Sequence, residues 1–340
     1  IYNTVYINGA LFNDAEGGRF SYSLIGGLND ATRNQESVNG IEPSDYSYGN
    51  LGGVTNIITR ASQYGEGTKI SLSSSNRSYN ARLMATYSSG LMDNGWAYSI
   101  TGSRRISIQG MEYIEGTFYD AWGISASIEK QFNKQHSLSF TAMFAPSQRG
   151  MQSAATQEAY DLAGTNFYNP NWGYQNGQVR NARVSDSKSP IAVLNHLWKI
   201  NDKLKLTTAF GFKYSDYSTT ALNWYNSSDP RPDYYRYLPS YFATENPAVS
   251  ALMTDAWKND ESVRQLNWDK LYQINYLANL TGVSARYIVE ERHNDQLAFN
   301  LNSTAKYKLN DRIDFTGGIH LSTTKGMHYK KINDLLGANY

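Results

Sequence analysis

The 340-residue sequence contains no cysteine, and this absence removes several kinds of chemistry at once. Without cysteine the chain offers no disulfide, no thiol nucleophile and no thiolate metal ligand. A chain free of cysteine is compatible with a periplasmic or outer-membrane location.

Long apolar runs are missing as well. No stretch of about 18 consecutive apolar residues occurs, so the sequence offers no candidate transmembrane helix. The other structure that spans a bilayer is a closed β-barrel, because lipid cannot satisfy unpaired backbone groups. A membrane protein with this sequence must therefore be built of strands.

An excess of one charge is also lacking, since 31 Lys and Arg residues face 30 Asp and Glu residues. This balance gives no argument for a nucleic-acid partner, and we expect none. The histidines stand singly, without the spacing of a metal site: His136, His196, His293, His320 and His328. Two carboxylate pairs, Glu112 with Glu115 and Glu290 with Glu291, could serve glycoside hydrolysis, but their polar surroundings favour solvated charge. We predict no catalytic residue, no metal ligand set, no cofactor and no enzyme activity.

Aromatic residues, by contrast, are abundant. They form 14% of the chain and include 27 Tyr, although the mean hydropathy is −0.56. So many rings in an otherwise polar chain indicate a role at a boundary between apolar and aqueous surroundings.

Alternating apolar and polar residues recur in stretches of about ten, which is typical of barrel strands. The clearest stretches are 122–132, 138–144, 204–214, 297–309 and 313–321, and weaker ones lie near residues 68, 83, 96 and 191. This gives about nine strands. The alternation predicts that Ile124 and Phe140 face outward, whereas Ser125 and Thr141 face inward. Lysines on the inner face suit a water-filled lumen.

Connection lengths help to choose between a barrel and a soluble β-sandwich or β-solenoid, whose strands also alternate. Short turns lie at Asn133, Asn201 and Asn310, whereas long connections occupy 147–189 and 223–292. Transmembrane barrels have short periplasmic turns and long outer loops. Structureless loops of this length are unusual in compact soluble domains. We therefore predict an all-β fold, a transmembrane antiparallel β-barrel.

Nine strands do not close a bacterial barrel, because such barrels have even strand numbers and plugged receptor barrels have about 22. We expect further chain after Tyr340 in the complete protein. An aromatic final residue can be an outer-membrane assembly signal, but the polar surroundings of Tyr340 favour an arbitrary end. The opening at Ile1, without a leader, likewise favours a cut.

The first 60 residues differ in composition, because they are rich in Gly and Asn and contain two β-like pieces, at 4–9 and 54–59. The passage VNGIEPSDYSYGNLGGVTNIITR follows a pattern of glycines, a proline and a tyrosine before a strand. Its marker residues are Gly40, Pro43, Tyr48, Gly49, Gly52, Gly53 and Asn56. Glycines there permit a positive φ or a close backbone approach. A compact glycine-rich loop of some other β protein is the alternative interpretation.

This passage resembles the end of the plug domain of TonB-dependent outer-membrane receptors, and the upstream VYINGALFNDAEGGRFSYSLIGGLNDATRNQ resembles the Bacteroidetes type. The resemblance implies that residues 1–62 are the C-terminal part of a plug inside the barrel. Residues 68–340 would then be the N-terminal part of the barrel, with long extracellular loops. The first half of the plug and the segment that pairs with TonB lie outside this chain.

The resemblance also implies a function and partners. We expect an outer-membrane receptor that imports a nutrient, with a glycan or peptide favoured and a siderophore as a further candidate. Its partners would be the TonB–ExbB–ExbD complex, outer-membrane lipids and, as a further candidate, a surface lipoprotein lid. The alternatives are an outer-membrane adhesion or structural barrel protein without transport and, third, an outer-membrane enzyme.

The long loops hold the best candidates for ligand contact, because flat rings with polar edges stack on sugars and pack on peptides. These candidates are Trp172, Tyr174, Trp224, Tyr225, Tyr234 and Tyr235. The alternative is that the rings fold the loops on themselves or belong to an interfacial aromatic girdle. Apolar spacing between residues 260 and 279 predicts a short amphipathic helix in the second loop.

Overall fold

A computed structural model describes residues 3–40, 44–47, 51–108 and 110–340. Two sheets organise this part of the chain: a small sheet formed by the first 60 residues and a large antiparallel sheet formed by the rest. A separate two-stranded hairpin lies in the first long loop.

The small sheet has four strands in the order β2-β1-β4-β3. Their bounds are β1 Thr4–Ile7, β2 Ala10–Leu11, β3 Asn34–Val38 and β4 Val54–Ile58. The two β-like pieces of the sequence are thus the neighbouring strands β1 and β4, which pair in parallel. Short 3₁₀ turns at Tyr22–Ile25 and Ala61–Gln63 complete this unit, which we call the plug.

The large sheet, which we call the wall, has 11 strands. They are β5 Gly67–Ser74, β6 Ala81–Ser88, β7 Trp96–Ile106, β8 Phe118–Gln131, β9 His136–Phe144, β10 Ser147–Gly150, β13 Val184–Lys188, β14 Ile191–Lys199, β15 Leu204–Trp224, β16 Tyr287–Asn310 and β17 Ile313–Asp334. Short breaks separate β9 from β10 and β13 from β14, so the described wall contains nine strands when each broken pair counts as one. The predicted number of about nine is confirmed.

The register places apolar side chains on one face of this wall. Ile124 and Phe140 are 49% and 46% exposed on the outer face, whereas Ser125 and Thr141 are 4% and 1% exposed on the inner face. On β15 the outward residues are apolar or aromatic over most of the span from Leu204 to Tyr214. Ten residues of a strand tilted by about 40° rise roughly 25 Å, the height of the apolar band of outer-membrane barrels.

All turns at one end of the wall are short, and the long connections lie at the other end. The first long connection contains α1 Gln157–Ala163 and the hairpin β11 Trp172–Gln175 with β12 Gln178–Asn181. The second contains α2 Pro239–Phe242, α3 Pro247–Asn259 and α4 Trp268–Leu280. The predicted amphipathic helix overlaps α4. No helix in the described ranges is long and apolar enough to cross a membrane.

The two long connections have cores of their own. Trp257 of α3 is fully buried against Leu162, Tyr168 and Leu238. A second cluster surrounds Trp268, also fully buried, and joins α4 to β16. Helix α3 is not among the predicted elements, although Asn246 caps its first turn and a proline follows directly, which is a standard helix start.

Candidate functional site

The plug lies against the inner face of the wall, and an apolar core joins the two. Its members from the plug are Val5, Ile7, Ala10, Phe12, Leu24, Ile25, Leu28, Ala31 and Ile57. Met143, Ile191, Val193 and Ala209 contribute from the wall. Because these inward residues are small or aliphatic, they let the plug sheet pack directly on the strands.

Three asparagines of the wall form hydrogen bonds with the backbone of the β1–β2 hairpin. Asn300 donates to the Leu11 carbonyl oxygen over 2.8 Å and accepts from the Leu11 amide over 3.1 Å. Asn302 donates to the Gly9 oxygen over 2.9 Å, and Asn195 donates to the Asn8 oxygen over 2.8 Å. We call Asn195, Asn300 and Asn302 the amide clamp. Buried backbone groups of the plug are thereby satisfied by the wall.

Asn8 and Thr59 form a second contact at the end of the plug sheet. The Asn8 side chain accepts from the Thr59 amide over 2.8 Å and donates to the Thr59 hydroxyl over 2.8 Å. Thr141 of the wall lies 3.3 Å from both side chains through its Oγ1 atom. Thr141 therefore faces the plug and not an open lumen.

Charged contacts also cross this interface. Acidic residues of the plug meet lysines of the wall in three pairs, Asp30 with Lys69, Asp45 with Lys306 and Asp14 with Lys213, and Glu16 is hydrogen-bonded to His328. One pair has the opposite sense, with Arg60 beside buried Glu129 at 3.5 Å. The inward lysines Lys213 and Lys306 thus have acidic partners on the plug, which the alternation along the strands did not predict.

Two glycines of the wall permit the close approach of the plug. A β-carbon at Gly211 would lie 2.9 Å from the β-carbon of Ala10, and one at Gly123 would lie 3.0 Å from the Gly26 carbonyl oxygen. Any larger side chain at these inward positions would displace the plug.

The described residues of the glycine-rich motif have distinct structural roles. Gly53 has φ +98°, and a β-carbon there would lie 2.6 Å from the Val38 carbonyl oxygen. Gly40 has φ +63°, and none of the described atoms lies within 4 Å of a β-carbon placed there; Gly52 is exposed in the turn before β4. The fully buried Asn56 accepts from the Gly9 amide over 3.0 Å. Pro43, Tyr48 and Gly49 lie outside the described residues.

Burial raises the pKa of three described titratable groups of the plug, Glu36, Tyr46 and Tyr64. Burial raises the pKa of Tyr64 to about 12, and its hydroxyl donates to the Ala31 carbonyl oxygen over 2.6 Å. Burial also raises the pKa of Glu36, and a hydrogen bond from the Asp45 backbone partly opposes this rise. The neutral Tyr64 hydroxyl thus acts as a structural donor within the plug.

Above the plug, on the side of the long loops, lies a cavity of about 400 Å³ between plug and wall. Its lining is rich in hydroxyl groups: Ser21, Ser23, Ser147, Ser185, Ser187, Ser189 and Ser215. Three basic residues line the cavity: Arg19, Arg149 and Lys213. Asp14 is the one acidic residue among the described residues of its lining. Serine hydroxyls both donate and accept hydrogen bonds, so the cavity suits a polar ligand. We call it the apex cavity.

The aromatic candidates of the first long loop differ in exposure. Trp172 is only 5% exposed, and its ring occupies the space beside Gly116. Tyr174 packs edge-on against Trp172 and is half exposed. Of these two rings, Tyr174 offers the accessible face.

The candidates of the second loop form two groups. Trp224 packs against the core around Trp268, whereas its neighbour Tyr225 lines an open cavity of about 620 Å³. Tyr234 and Tyr235 lie 4.8 Å apart and belong to a chain of ring contacts that reaches Tyr241. Tyr235 is half exposed at the surface of this chain. The rings therefore pack on one another and still present exposed faces.

The sequence analysis did not identify the amide clamp or the apex cavity. Asn300 and Asn302 alternate with apolar residues on a predicted strand, and this marks them as inward-facing. No pattern along the chain marks Asn195 as their partner, because β14 and β16 are brought to the same part of the plug by the tertiary fold.

Several solved structures have an architecture similar to that of this chain. The siderophore receptor PiuA from Acinetobacter baumannii matches with a TM-score of 0.53 and 13% identity, over 96% of this chain and 38% of its own. The ferric-catecholate import receptor Fiu from E. coli K12 in its open form matches with a TM-score of 0.54 and 15% identity, over 96% of this chain and 43% of its own. The fold is that of TonB-dependent outer-membrane receptors.

The ferric citrate transporter FecA in its unliganded form gives a TM-score of 0.56 with 10% identity, over 97% of this chain and 40% of its own. The chain thus spans about two fifths of the length of these TonB-dependent receptor structures. No protein-family model matches the sequence. No curated protein matches it either.

Proposed function

We propose that this chain is the gated part of a TonB-dependent receptor that resides in the outer membrane and imports a nutrient. The packing of the plug against the wall carries the proposal. The plug fills the inner face through an apolar core, the amide clamp and the charged pairs. A plug held this closely blocks passage until a force displaces it.

The force would come from the TonB–ExbB–ExbD complex, acting through a segment outside this chain. The outward apolar face would contact outer-membrane lipids, and a surface lipoprotein would be a candidate lid above the loops. An adhesion or structural barrel protein without transport is the second candidate function. It needs no movement of the plug, and this difference allows a test.

The test uses a cysteine as a reporter of plug movement. Thr59 is 1% exposed at the interface with the wall, and cysteine is close to threonine in size. In a cysteine-free full-length protein, the Thr59→Cys variant should react with a small maleimide in energised cells. In cells without TonB it should stay protected. An Asp202→Cys variant, on a short turn where the aspartate side chain is 95% exposed, should react in both strains.

Equal protection of Thr59→Cys in both strains, with Asp202→Cys labelled normally, would refute plug movement and favour the structural alternative. Labelling of Thr59→Cys independent of TonB would instead show that the plug is not held at rest.

For the ligand we infer a glycan or a peptide, and a Bacteroidetes-type receptor. The serine-rich apex cavity offers donors and acceptors that complement hydroxyl and amide groups. The exposed rings of Tyr174, Tyr225 and Tyr235 lie on the loops, where a ligand would first arrive. Each ring could stack on a sugar or pack on a peptide side chain.

Direct binding tests this inference. Maltoheptaose, a ten-residue peptide and ferric citrate would be titrated into the purified full-length receptor. We expect binding of one of the first two, weakened about fivefold by Tyr225→Ala or Tyr235→Ala, since an aromatic contact contributes about 1 kcal/mol. Leu252→Ala, at an exposed position of α3, is the matched control. Binding of ferric citrate alone would contradict the preference.

A further inference from the structure

A cluster of ionisable side chains lies on the outer face of the wall, outside the site described above. Asp216 of β15 follows Tyr214 on the outward face, at the edge of the apolar band, and His293 and Asp295 stand beside it on β16. The His293 Nδ1 atom lies 3.5 Å from Asp295 Oδ2 and 3.9 Å from Asp216 Oδ1. The three ligand atoms all lie within 4.8 Å of one another.

His293 is buried and unsatisfied at this point. Its side chain is only 6% exposed, because the Tyr329 ring stacks on it with a centroid distance of 4.5 Å and an interplanar angle of 4°. Neither ring nitrogen makes a hydrogen bond, although carboxylate oxygens surround both. Buried polar groups are almost always hydrogen-bonded, so this exception requires a physical reason.

We propose that Asp216, His293 and Asp295 bind a divalent first-row transition metal ion such as Zn²⁺. The ligands would be His293 Nδ1 and one carboxylate oxygen from each aspartate. Two ligands at about 2.1 Å from a tetrahedral ion are roughly 3.4 Å apart, close to the spacing that the side chains already have. The fourth position remains for water or for a ligand from outside the chain.

The surrounding groups orient these ligands. Asp295 Oδ1 accepts from the Tyr217 amide over 3.1 Å, and Asp295 Oδ2 accepts from the Tyr329 hydroxyl over 3.0 Å. Behind the imidazole, Glu291 Oε1 lies 3.1 Å from Nε2. A carboxylate on the far nitrogen of a metal-bound histidine is a common arrangement, because it fixes the ring and its tautomer.

The local charge favours a cation. Among the described residues, no lysine or arginine forms an ion pair with Asp216 or Asp295. Two carboxylates without a lysine or arginine partner therefore place negative charge at the ligand atoms. A protonated His293 paired with these carboxylates is the competing explanation, and only a metal site would bind Co²⁺.

The experiment is a titration of Co²⁺, followed by competition with Zn²⁺, on the tag-free full-length receptor in detergent. We expect one high-affinity Co²⁺ per chain, with visible absorption bands that Zn²⁺ abolishes. His293→Asn and Asp295→Asn should each weaken the affinity at least tenfold. His328→Asn is the matched control, because it lies on β17 beside Tyr329 but faces the plug, where it contacts Glu16.

A second variant separates metal binding from folding. Tyr329→Phe keeps the stacked ring and removes the hydroxyl that holds Asp295, so it should lower Co²⁺ affinity while heat-modifiable migration stays normal. The proposal would be overturned by an absence of Co²⁺ binding to the wild-type receptor. It would also be overturned by unchanged affinity in folded His293→Asn, which would place the ion elsewhere.

Discussion

At the scale of single residues, Asn302 links the wall to two separate parts of the plug. Its side chain donates to the Gly9 carbonyl oxygen over 2.9 Å and to the Tyr46 carbonyl oxygen over 3.1 Å. Removal of the amide would leave the buried Gly9 oxygen without this donor, whereas the Tyr46 oxygen would keep the Thr304 hydroxyl at 3.2 Å. Each buried acceptor left unsatisfied costs about 1–3 kcal/mol.

Asn302→Leu should therefore loosen the plug without preventing assembly of the wall. We expect the variant to reach the outer membrane at normal abundance but to admit bulky antibiotics such as vancomycin. Ser303→Leu, the next residue on the outward face, serves as the control and should leave permeability unchanged. An impermeable Asn302→Leu variant would show that the clamp is dispensable for sealing.

Gly53 allows a second prediction at this scale. A valine there would combine an unfavourable positive φ with a β-carbon 2.6 Å from the Val38 carbonyl oxygen. Gly40 also has a positive φ but meets none of the described atoms at its β-carbon position, so Gly40→Ala should cost only about 1 kcal/mol. Gly53→Val should make the plug much more sensitive to limited proteolysis than Gly40→Ala, with the wall intact in both. Equal protease resistance would contradict the assigned role of Gly53.

At the scale of structural elements, α4 is joined to the ends of β16 and β17 by one side chain. Asn275 is fully buried, donates to the carbonyl oxygens of Tyr287, Leu335 and Leu336, and accepts from the amides of Arg286 and Tyr287. One side-chain amide thus takes part in five hydrogen bonds, and these hold the helix against the wall.

Asn275→Leu should destabilise this loop by about 3 kcal/mol or more, because it leaves several buried backbone groups unpaired. Hydrogen exchange should increase in α4 and remain unchanged in β7 and β8. Tyr276→Leu, on the exposed face of the same helix, should have little effect. Faster exchange in both variants alike would mean that helix propensity, and not the amide, determines the stability of the loop.

The strands of the wall allow a prediction about their two faces. Lysine at Phe210, which is 43% exposed on the outer face of β15, should impair assembly by about 2–4 kcal/mol at mid-depth. Lysine at Ser215, on the inner face of the same strand and beside the apex cavity, should assemble normally. Heat-modifiable migration distinguishes the two. Equal assembly would argue against lipid on the outer face.

The structure changes which inward positions can serve as such controls. The inward orientation of Ser125 and Thr141, taken from the alternation alone, predicts that lysine is tolerated at both positions. Thr141 lies against Asn8 and Thr59 of the plug, and Ser125 is 4% exposed. A lysine at Thr141 would displace the plug, so Ser215 is the better inward position.

At the scale of the whole molecule, the proposed transport requires the plug to move relative to the wall. The hydroxyl oxygens of Thr59 and Thr141 are 3.3 Å apart, so cysteines at both positions would place their sulfur atoms near each other across the interface, where oxidation can be tested. Thr59→Cys with Thr141→Cys should abolish TonB-dependent uptake when oxidised and restore it on reduction. Uptake by the oxidised protein would refute movement of the plug at β4.

A disulfide within the wall provides the control for this experiment. The hydroxyl oxygens of Ser127 and Thr141 are 3.0 Å apart on neighbouring wall strands. Ser127→Cys with Thr141→Cys therefore shares one substituted residue with the locked protein but leaves the plug free. Its uptake should not depend on oxidation.

The sequence by itself determined the class of fold and the faces of its strands. Strict alternation predicts which side chains face outward, because successive side chains of a strand point to opposite sides. Thus Ile124 and Phe140 were assigned to the outer face from their positions in the chain alone. The difference between short turns and long connections similarly indicated which end of the wall carries the loops.

Only the tertiary structure decided what the inward residues meet. Lys213 and Lys306 are inward in either case, but their acidic partners come from the plug, about 200 or more positions earlier. Asp216 and His293 are likewise separated by a long loop, and only the pairing of β15 with β16 makes them neighbours. Local periodicity contains no information on such contacts, because they depend on which segments the folded chain brings together.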